Sequence, residues 1–437
     1  MIKLPAVSWI DKDSGTLFRS VSAYFLTNSI RLGIPFFLLP LLTACLTPAE
    51  YGVLALFQAL VQFVLPLTPM NVDAAVSIAY FRCDRQQLPS YLSTALLAPL
   101  GTTALLVALL AVAAKSVSAA TEIPVWWVVA IPAFGLVQLL PNVVLRLYQA
   151  RRQPLAYAGF SLGLATLNIV LSLLGVVVLG LGWPGRMYGI FLSYVVFSMA
   201  GLAVLYRCGY LSRRIERRHF VDVARFSLPL VPHSLSGSLM ALGDRFLLSA
   251  MVGAGAVGAY AVGFQIGSAL LLVGTSVNQA WAPYLYGRLG AIDAKGRVRL
   301  VRQTYLIAGV LVLAFVVLLG VMPLIFGHFV SESFAGSQRY AVWIALGSLF
   351  NGFYVLVGNY IFYEKKTYIL SALTLSSALV NVGLNYWWIG KWGTIGAAYA
   401  SAASSLIFFL FSCLVAQRVH PMPWLAALRP NPAAAGS

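Results

Sequence analysis

The chain has 437 residues, of which 60% are apolar and only 9% charged, with a mean hydropathy of +0.86. Soluble domains are about 45–50% apolar and about 25% charged, so a water-soluble globule is excluded. Lys and Arg number 29 against 12 Asp and Glu, a net charge of +17. In a soluble protein that excess would point to nucleic acid. Here the basic residues fall in short clusters between apolar runs, the distribution of cations retained on the cytoplasmic side of a bilayer, and no nucleic-acid partner is expected.

The first sixteen residues hold Lys3, Asp11, Lys12 and Asp13. The apolar stretch that follows is too long for a signal-peptide core and carries Arg31, so no cleavable leader is expected. Apolar runs long enough to cross hydrocarbon follow at 17–44, 50–72, 91–114, 124–148, 156–180, 187–206, 226–252, 256–282, 303–325, 339–362, 368–389 and 394–416. Each is continuous, whereas barrel strands would be about ten residues of alternating polarity; the twelve runs therefore predict an all-α polytopic membrane protein. With a cytoplasmic N-terminus, 23 of the 29 cations fall in inside segments and four (Lys115, Arg186, Arg339, Lys391) outside, and Arg31 and Arg245 lie within apolar runs. That asymmetry predicts both termini on the cytoplasmic side.

The basic connection at Arg207–Arg225 falls between the sixth and seventh runs. The expected organisation is a six-helix bundle over 1–206, a cytoplasmic linker over 207–225, a second six-helix bundle over 226–418 and a tail over 419–437. The halves resemble each other. A shift of 206 places Leu41-Leu42-Thr43-Ala44 on Leu247-Leu248-Ser249-Ala250 and Gly52 on Gly258, and Leu167-Asn168-Ile169-Val170-Leu171 resembles Val380-Asn381-Val382-Gly383-Leu384. Parallel repeats of this kind are a transporter plan.

An enzyme would need convergent polar groups, yet the outside loops are short and there is no HExxH, GxSxG, Walker A or paired-carboxylate motif. The four cysteines, Cys45, Cys83, Cys208 and Cys413, lack metal-site or disulfide spacing, and the four histidines are isolated. No cofactor or metal is expected.

The informative residues are polar ones inside spans, because a charge at the bilayer centre costs about 3 kcal/mol even on permissive scales. Arg31 lies roughly 21 Å along its helix, too deep to snorkel easily, and shares one stripe with Ser20, Tyr24 and Asn28. It either locks two helices through a carboxylate or faces a watery lumen and meets an anion; the second reading is favoured, since intramembrane ionisable groups default to function. In the seventh run Ser234, Ser238 and Arg245 share a face, with His233, Gly237 and Asp244 beside it. Arg245 suits snorkelling, ion pairing or substrate contact alike. Asp244 is a candidate coupling site, or else a cap or ion pair at the surface. Asp73, at the end of the second run, and Arg146, at the end of the fourth, are read first as interface anchors and second as site residues. Gln58, Asn142, Gln265, Asn278 and Gln279 either line a path or bridge helices. Trp126, Trp127, Trp387 and Trp388 read as aromatic belt.

Asp244-Arg245-Phe246 with Val257-Gly258-Ala259-Tyr260, the stretch from Leu41 through Pro48-Ala49-Glu50-Tyr51-Gly52, and Lys366-Thr367 to Asn381, Asn385, Gly393, Gly396, Ala397 and Ala398 together resemble the bacterial O-antigen and exopolysaccharide flippases. These belong to the multidrug/oligosaccharidyl-lipid/polysaccharide exporter superfamily. The resemblance implies a V-shaped pair of six-helix bundles that opens alternately inward and outward in the inner membrane. It would move a polyprenyl-pyrophosphate-linked oligosaccharide, coupled to an H+ or Na+ gradient, with a polysaccharide polymerase and a chain-length regulator as partners. Candidate substrate contacts are then Arg31, Arg245, Arg146, Tyr24, Asn28, Ser234 and Ser238, since guanidinium groups bind phosphate bidentately. Candidate ion-coupling groups are Asp244, Asp73 and His233. The alternatives are a multidrug/cation antiporter of the same fold and, disfavoured by the short outside loops, a membrane polymerase or glycosyltransferase.

Overall fold

The computed structural model describes residue 27 and residues 33–427, apart from 85, 152, 229, 290–292 and 365–366. Where these residues cover the apolar runs the chain is largely helical, although the runs at 50–72 and 256–282 are each divided between two helices and most of the run at 17–44 lies outside the described residues. The helices are α1 (Gly33–Cys45), α2 (Pro48–Val64), α3 (Val72–Arg82), α4 (Leu88–Thr121), α5 (Val125–Ala150), α6 (Pro154–Leu173), α7 (Trp183–Arg207) and α8 (Arg217–Ser227). They continue as α9 (Leu230–Met251), α10 (Ala254–Gly267), α11 (Ala269–Leu289), α12 (Ala294–His328), α13 (Gln338–Tyr363), α14 (Thr367–Trp392), α15 (Thr394–Val419) and α16 (Trp424–Ala427). Among the described residues there are eight continuous helical stretches long and apolar enough to span a bilayer. The protein is an all-α polytopic membrane protein.

Local chemistry explains where helices begin and break. Thr47 and Glu50 form a reciprocal capping box: the Thr47 N–H donates to Glu50 Oε2 at 3.0 Å and the Glu50 N–H donates to Thr47 Oγ1 at 3.3 Å. Pro48 fills the first helical position, where a missing N–H costs nothing. The second run predicts one helix with Asp73 at its end. Instead Met70 (φ 50°) and Asn71 (φ 54°) adopt left-handed backbone, which separates α2 from α3 and makes Asp73 the second residue of a new helix. Asp293 caps α12 by accepting from the Gly296 N–H at 2.8 Å.

Two compact units are present. One gathers Met1–Cys45 and Phe57–Leu235, the other Leu46–Leu56 and Ser236–Ser437. In the first, α5 packs against α3, α4 and α7 over a core that includes Val72, Leu92, Val143, Leu147 and Leu205. Phe57, Trp127, Phe134 and Trp183 form an aromatic cluster with centroids 5.1–6.2 Å apart. Trp127 is buried in it and does not belong to the membrane belt, whereas its neighbour Trp126 is exposed. The hydroxyl-rich start of α4 holds the basic connection down. Ser90 donates to the Arg214 carbonyl, Ser93 accepts from the Ser212 N–H, Thr94 accepts from the Glu216 N–H, and Tyr91 donates to Asp222. Arg218 beside Glu216 holds that carboxyl below its ordinary value. In this way a stretch read only as a linker contains the amphipathic α8, with Val223 inward and Arg217, Arg218 and Arg225 outward.

In the second unit α13 is central and packs against α10, α11, α12, α14 and α15. By contrast α12 leaves Leu306, Leu313 and Leu324 exposed, the pattern of a lipid-facing helix. Gly52 and Gly258 form a reciprocal contact. A Cβ on Gly52 would lie 1.8 Å from the Ala254 carbonyl oxygen, and one on Gly258 would lie 1.9 Å from that of Pro48. The 206-residue shift interchanges both pairs, so the first turns of α2 and α10 meet about a local two-fold axis.

Candidate functional site

The second unit holds a buried polar cluster contributed by four helices. Asp244 of α9, only 7% exposed, accepts from Tyr260 Oη of α10 at 3.0 Å and from Asn385 Nδ2 of α14 at 2.7 Å. The same Nδ2 donates to the Asn381 carbonyl at 2.9 Å and to Asn381 Oδ1 at 3.1 Å, which the i, i+4 spacing on α14 allows. In turn Asn381 Nδ2 donates to Ser404 Oγ of α15 at 3.0 Å. All the hydrogen-bond donors to Asp244 among the described residues are neutral, and the neighbouring Arg245 guanidinium attracts it electrostatically. Asn385 Oδ1 is buried and among the described residues accepts no hydrogen bond.

A cavity of about 200 Å3 opens beside the cluster, lined by Asp244, Arg245, Tyr260, Asn351, Asn381 and Ser404 among others. Arg245 is half-buried, its guanidinium 5.1 Å from the Phe264 ring centroid. Chemically this is one carboxylate with amide and hydroxyl oxygens around it, a donor set suited to a proton or a hard cation.

The first unit carries a related cluster with the opposite charge. Arg186 of α7, 8% exposed, donates to Asn168 Oδ1 of α6 at 2.5 Å and to Ser172 Oγ. Asn168 Nδ2 donates to Ser193 Oγ at 3.3 Å, and Ser172 Oγ donates to the Asn168 carbonyl at 2.6 Å. Gly189 lets the helices close, since a Cβ there would lie 2.5 Å from the Ser172 nitrogen.

The sequence-derived candidates separate clearly. Arg31, Tyr24 and Asn28 lie outside the described residues, and the side chains of His233 and Ser234 do too, although both residues belong to α9. Ser238 is half-buried on α9. Asp244 and Arg245 share the cavity just described. Asp73 and Arg146 join each other: Arg146 Nε is 3.0 Å from Asp73 Oδ2, with Gln149 3.5 Å from Nη1. Among the other polar candidates, Gln265 accepts from Tyr51 Oη at 3.1 Å and Asn278 accepts from Asn359 at 2.7 Å, both helix bridges. Tyr260, Asn385, Ser404 and Arg186 were not among the expected site residues. The available signal was the pair Asn381 and Asn385, one turn apart in an apolar run and matched by Asn168 and Ser172 in the other half.

Residues 17–286 match the family described as Polysaccharide biosynthesis protein, and residues 229–387 match MatE. A protein of the Lsg locus of Haemophilus influenzae is 23% identical over 358 residues, 80% of this chain and 85% of that protein. A membrane protein of the same organism is 22% identical over 84% of this chain and 89% of its own. Among solved structures, the lipid II flippase MurJ in an inward closed conformation superposes with a TM-score of 0.71 at 13% identity, covering 92% of this chain and 87% of that one. An inward-facing multidrug resistance MATE family transporter of the MOP superfamily gives 0.70 at 14% identity, covering 90% and 93%. With its all-helical fold shared with these transporters and well over half its length matched, the chain belongs to the polysaccharide biosynthesis protein family.

Proposed function

We propose that the chain is a flippase that carries polyprenyl-pyrophosphate-linked oligosaccharide repeat units across the bacterial inner membrane by alternating access, driven by an H+ or Na+ gradient. The family match over residues 17–286 and the fold shared with a lipid II flippase support the substrate class. The O-antigen or exopolysaccharide pathway, cytoplasmic termini, and a polymerase and chain-length regulator as partners belong to the same reading. The observation that carries the coupling is Asp244: a buried carboxylate whose hydrogen-bond donors are all neutral, beside a buried amide oxygen that accepts no hydrogen bond among the described residues. A carboxylate in low dielectric is costly even with the Arg245 guanidinium attracting it, and a proton or cation arriving there relieves that cost. Because Asp244, Tyr260 and Asn385 come from three helices, neutralising the carboxylate changes hydrogen bonds that tie α9 to α10 and α14. That coupling lets ion occupancy bias one conformation over another.

Arg245, in the same cavity, is the described candidate for the pyrophosphate. Arg146 fits that role less well because Asp73 already engages it. Arg31, Tyr24, Asn28 and Ser234 keep their place as lumen candidates on the sequence argument, and His233 keeps its place as an ion-coupling candidate. The MatE match over 229–387 and the aromatic lining from Tyr260 and Phe264 favour a multidrug/cation antiporter as the second reading.

The deciding experiment removes the gene from cells making a surface polysaccharide. A flippase leaves lipid-linked repeat units on the cytoplasmic leaflet; a polymerase leaves single units outside; a drug exporter changes drug tolerance alone, and either of the last two outcomes refutes the proposal.

A further inference from the structure

The two polar clusters are copies of one design with inverted charge. α7 and α15 both start after a glycine in the same unusual conformation, Gly182 at φ 62°, ψ −146° and Gly393 at φ 63°, ψ −143°. Counting from those glycines, a shift of 211 carries Ser193 to Ser404 and Arg186 to Ala397. On the preceding helices a shift of 213 carries Asn168 to Asn381 and Ser172 to Asn385. The equivalence is functional in hydrogen bonding, since Asn168 donates to Ser193 as Asn381 donates to Ser404. At the start of each half the 206-residue shift that pairs Gly52 with Gly258 sets Leu38 opposite Asp244. By these shifts Asp244 corresponds in sequence to Leu38 and Arg186 to Ala397, and Leu38, Ala397 and Asp244 are all buried.

We infer that Arg186 is a built-in cation occupying the first copy of the duplicated polar cluster, so that only the second copy, at Asp244, takes a cation from solution. This rests on the reading of Asp244 as the coupling site. In the first cluster the guanidinium takes the amide oxygen of Asn168 and the hydroxyl of Ser172, oxygens of the kind that a hard cation would otherwise use. A covalently attached cation cannot dissociate, and a chain with two responsive copies would bind two ions where this one binds one. Arg186 thus fixes the number of ions per transport cycle and makes the first unit indifferent to the gradient.

The test transplants the charges. Purified protein in detergent at mildly alkaline pH is titrated with radioactive Na+, comparing wild type, Asp244→Asn and the paired variant Leu38→Asp with Arg186→Ala. The paired variant is expected to bind one more Na+ per chain than wild type, and to keep that extra ion when Asp244→Asn is added. A monodisperse paired variant that binds no more than wild type overturns the inference. A wild type that binds neither Na+ nor, by pH titration, a proton at Asp244, alongside a paired variant that gains an ion, refutes the Asp244 reading and leaves the role of Arg186 standing. If the paired variant does not fold, Ala397→Arg decides. Placing a guanidinium in the second cluster should abolish the dependence of melting temperature on Na+ or pH, and an unchanged dependence overturns the inference.

Discussion

The glycine contact between α2 and α10 permits a quantitative test. An alanine at position 258 puts a methyl carbon 1.9 Å from the Pro48 carbonyl oxygen, and one at position 52 puts it 1.8 Å from that of Ala254. Ordinary contact needs about 3.4 Å, so the two helices must part by about 1.5 Å or the side chain must stay compressed, a form of overpacking that costs typically about 1–3 kcal/mol. Each obstacle is backbone in a first helical turn, and the Thr47–Glu50 box pins the α2 turn from the other side, so the upper end applies, about 3 kcal/mol for either substitution. For a unit of some 200 residues that corresponds to a fall of about 6–12 °C in melting temperature. Once one substitution has parted the helices the second finds room, so the double variant should lose clearly less than the sum. Intrinsic tryptophan fluorescence of the detergent-solubilised protein reads the transition. Gly309→Ala is the reference, since a Cβ at that helical glycine meets nothing within 4 Å. Melting of Gly258→Ala within error of Gly309→Ala, or strict additivity in the double variant, would refute the argument.

Three further outcomes are expected. Arg31→Ala should impair glycan export with normal membrane insertion, and Arg31→Lys separates charge from guanidinium geometry; full complementation by the alanine variant removes Arg31 from the substrate path. Asp73→Asn should lower the melting temperature only slightly, since the Arg146 side chain is 48% exposed and such pairs are worth at most about 1 kcal/mol. A large loss would mean that the pair organises α3 against α5. Glu216 has its carboxyl held below the ordinary value, so its hold on the start of α8 is present above that value and fades as pH falls through the lowered one. Hydrogen exchange over residues 212–218 should therefore rise in acid after correction for intrinsic rates, and Glu216→Gln should show the same rise at neutral pH.

Continuous hydrophobicity is a strong signal, and within the described residues the apolar runs are largely helical because in hydrocarbon a chain must satisfy its own backbone. The details that depend on single residues were harder to read. The break before α3 uses left-handed backbone at Met70 and Asn71, residues other than glycine, and the signals that announce it, Pro66 and Pro69, lie inside a run apolar enough to read as one helix. The extra turns of α4 and α12 extend past the hydrocarbon, where hydropathy falls while helical hydrogen bonding continues. Within the site, Asp244 and Arg245 stood out because charge is rare in a span. The groups that hold Asp244 did not, because Tyr260 and Asn385 are distant in sequence and polar amides in spans most often only bridge helices. Arg186 was read as a loop cation, since it falls just before an apolar run; its burial comes from α7 starting at Trp183 and from Asn168 and Ser172 receiving it.

After Leu173 the helix α6 widens into a single π turn, Leu174–Val178, before the glycine that starts α7. Between the matched asparagine and the matched glycine the first half has two more residues than the second, and a widened turn is how a helix absorbs surplus length without unwinding what precedes it. The surplus is consumed locally, so Asn168 still reaches Ser193 across α6 and α7 as Asn381 reaches Ser404 across α14 and α15, and two halves of unequal length keep one hydrogen-bond design.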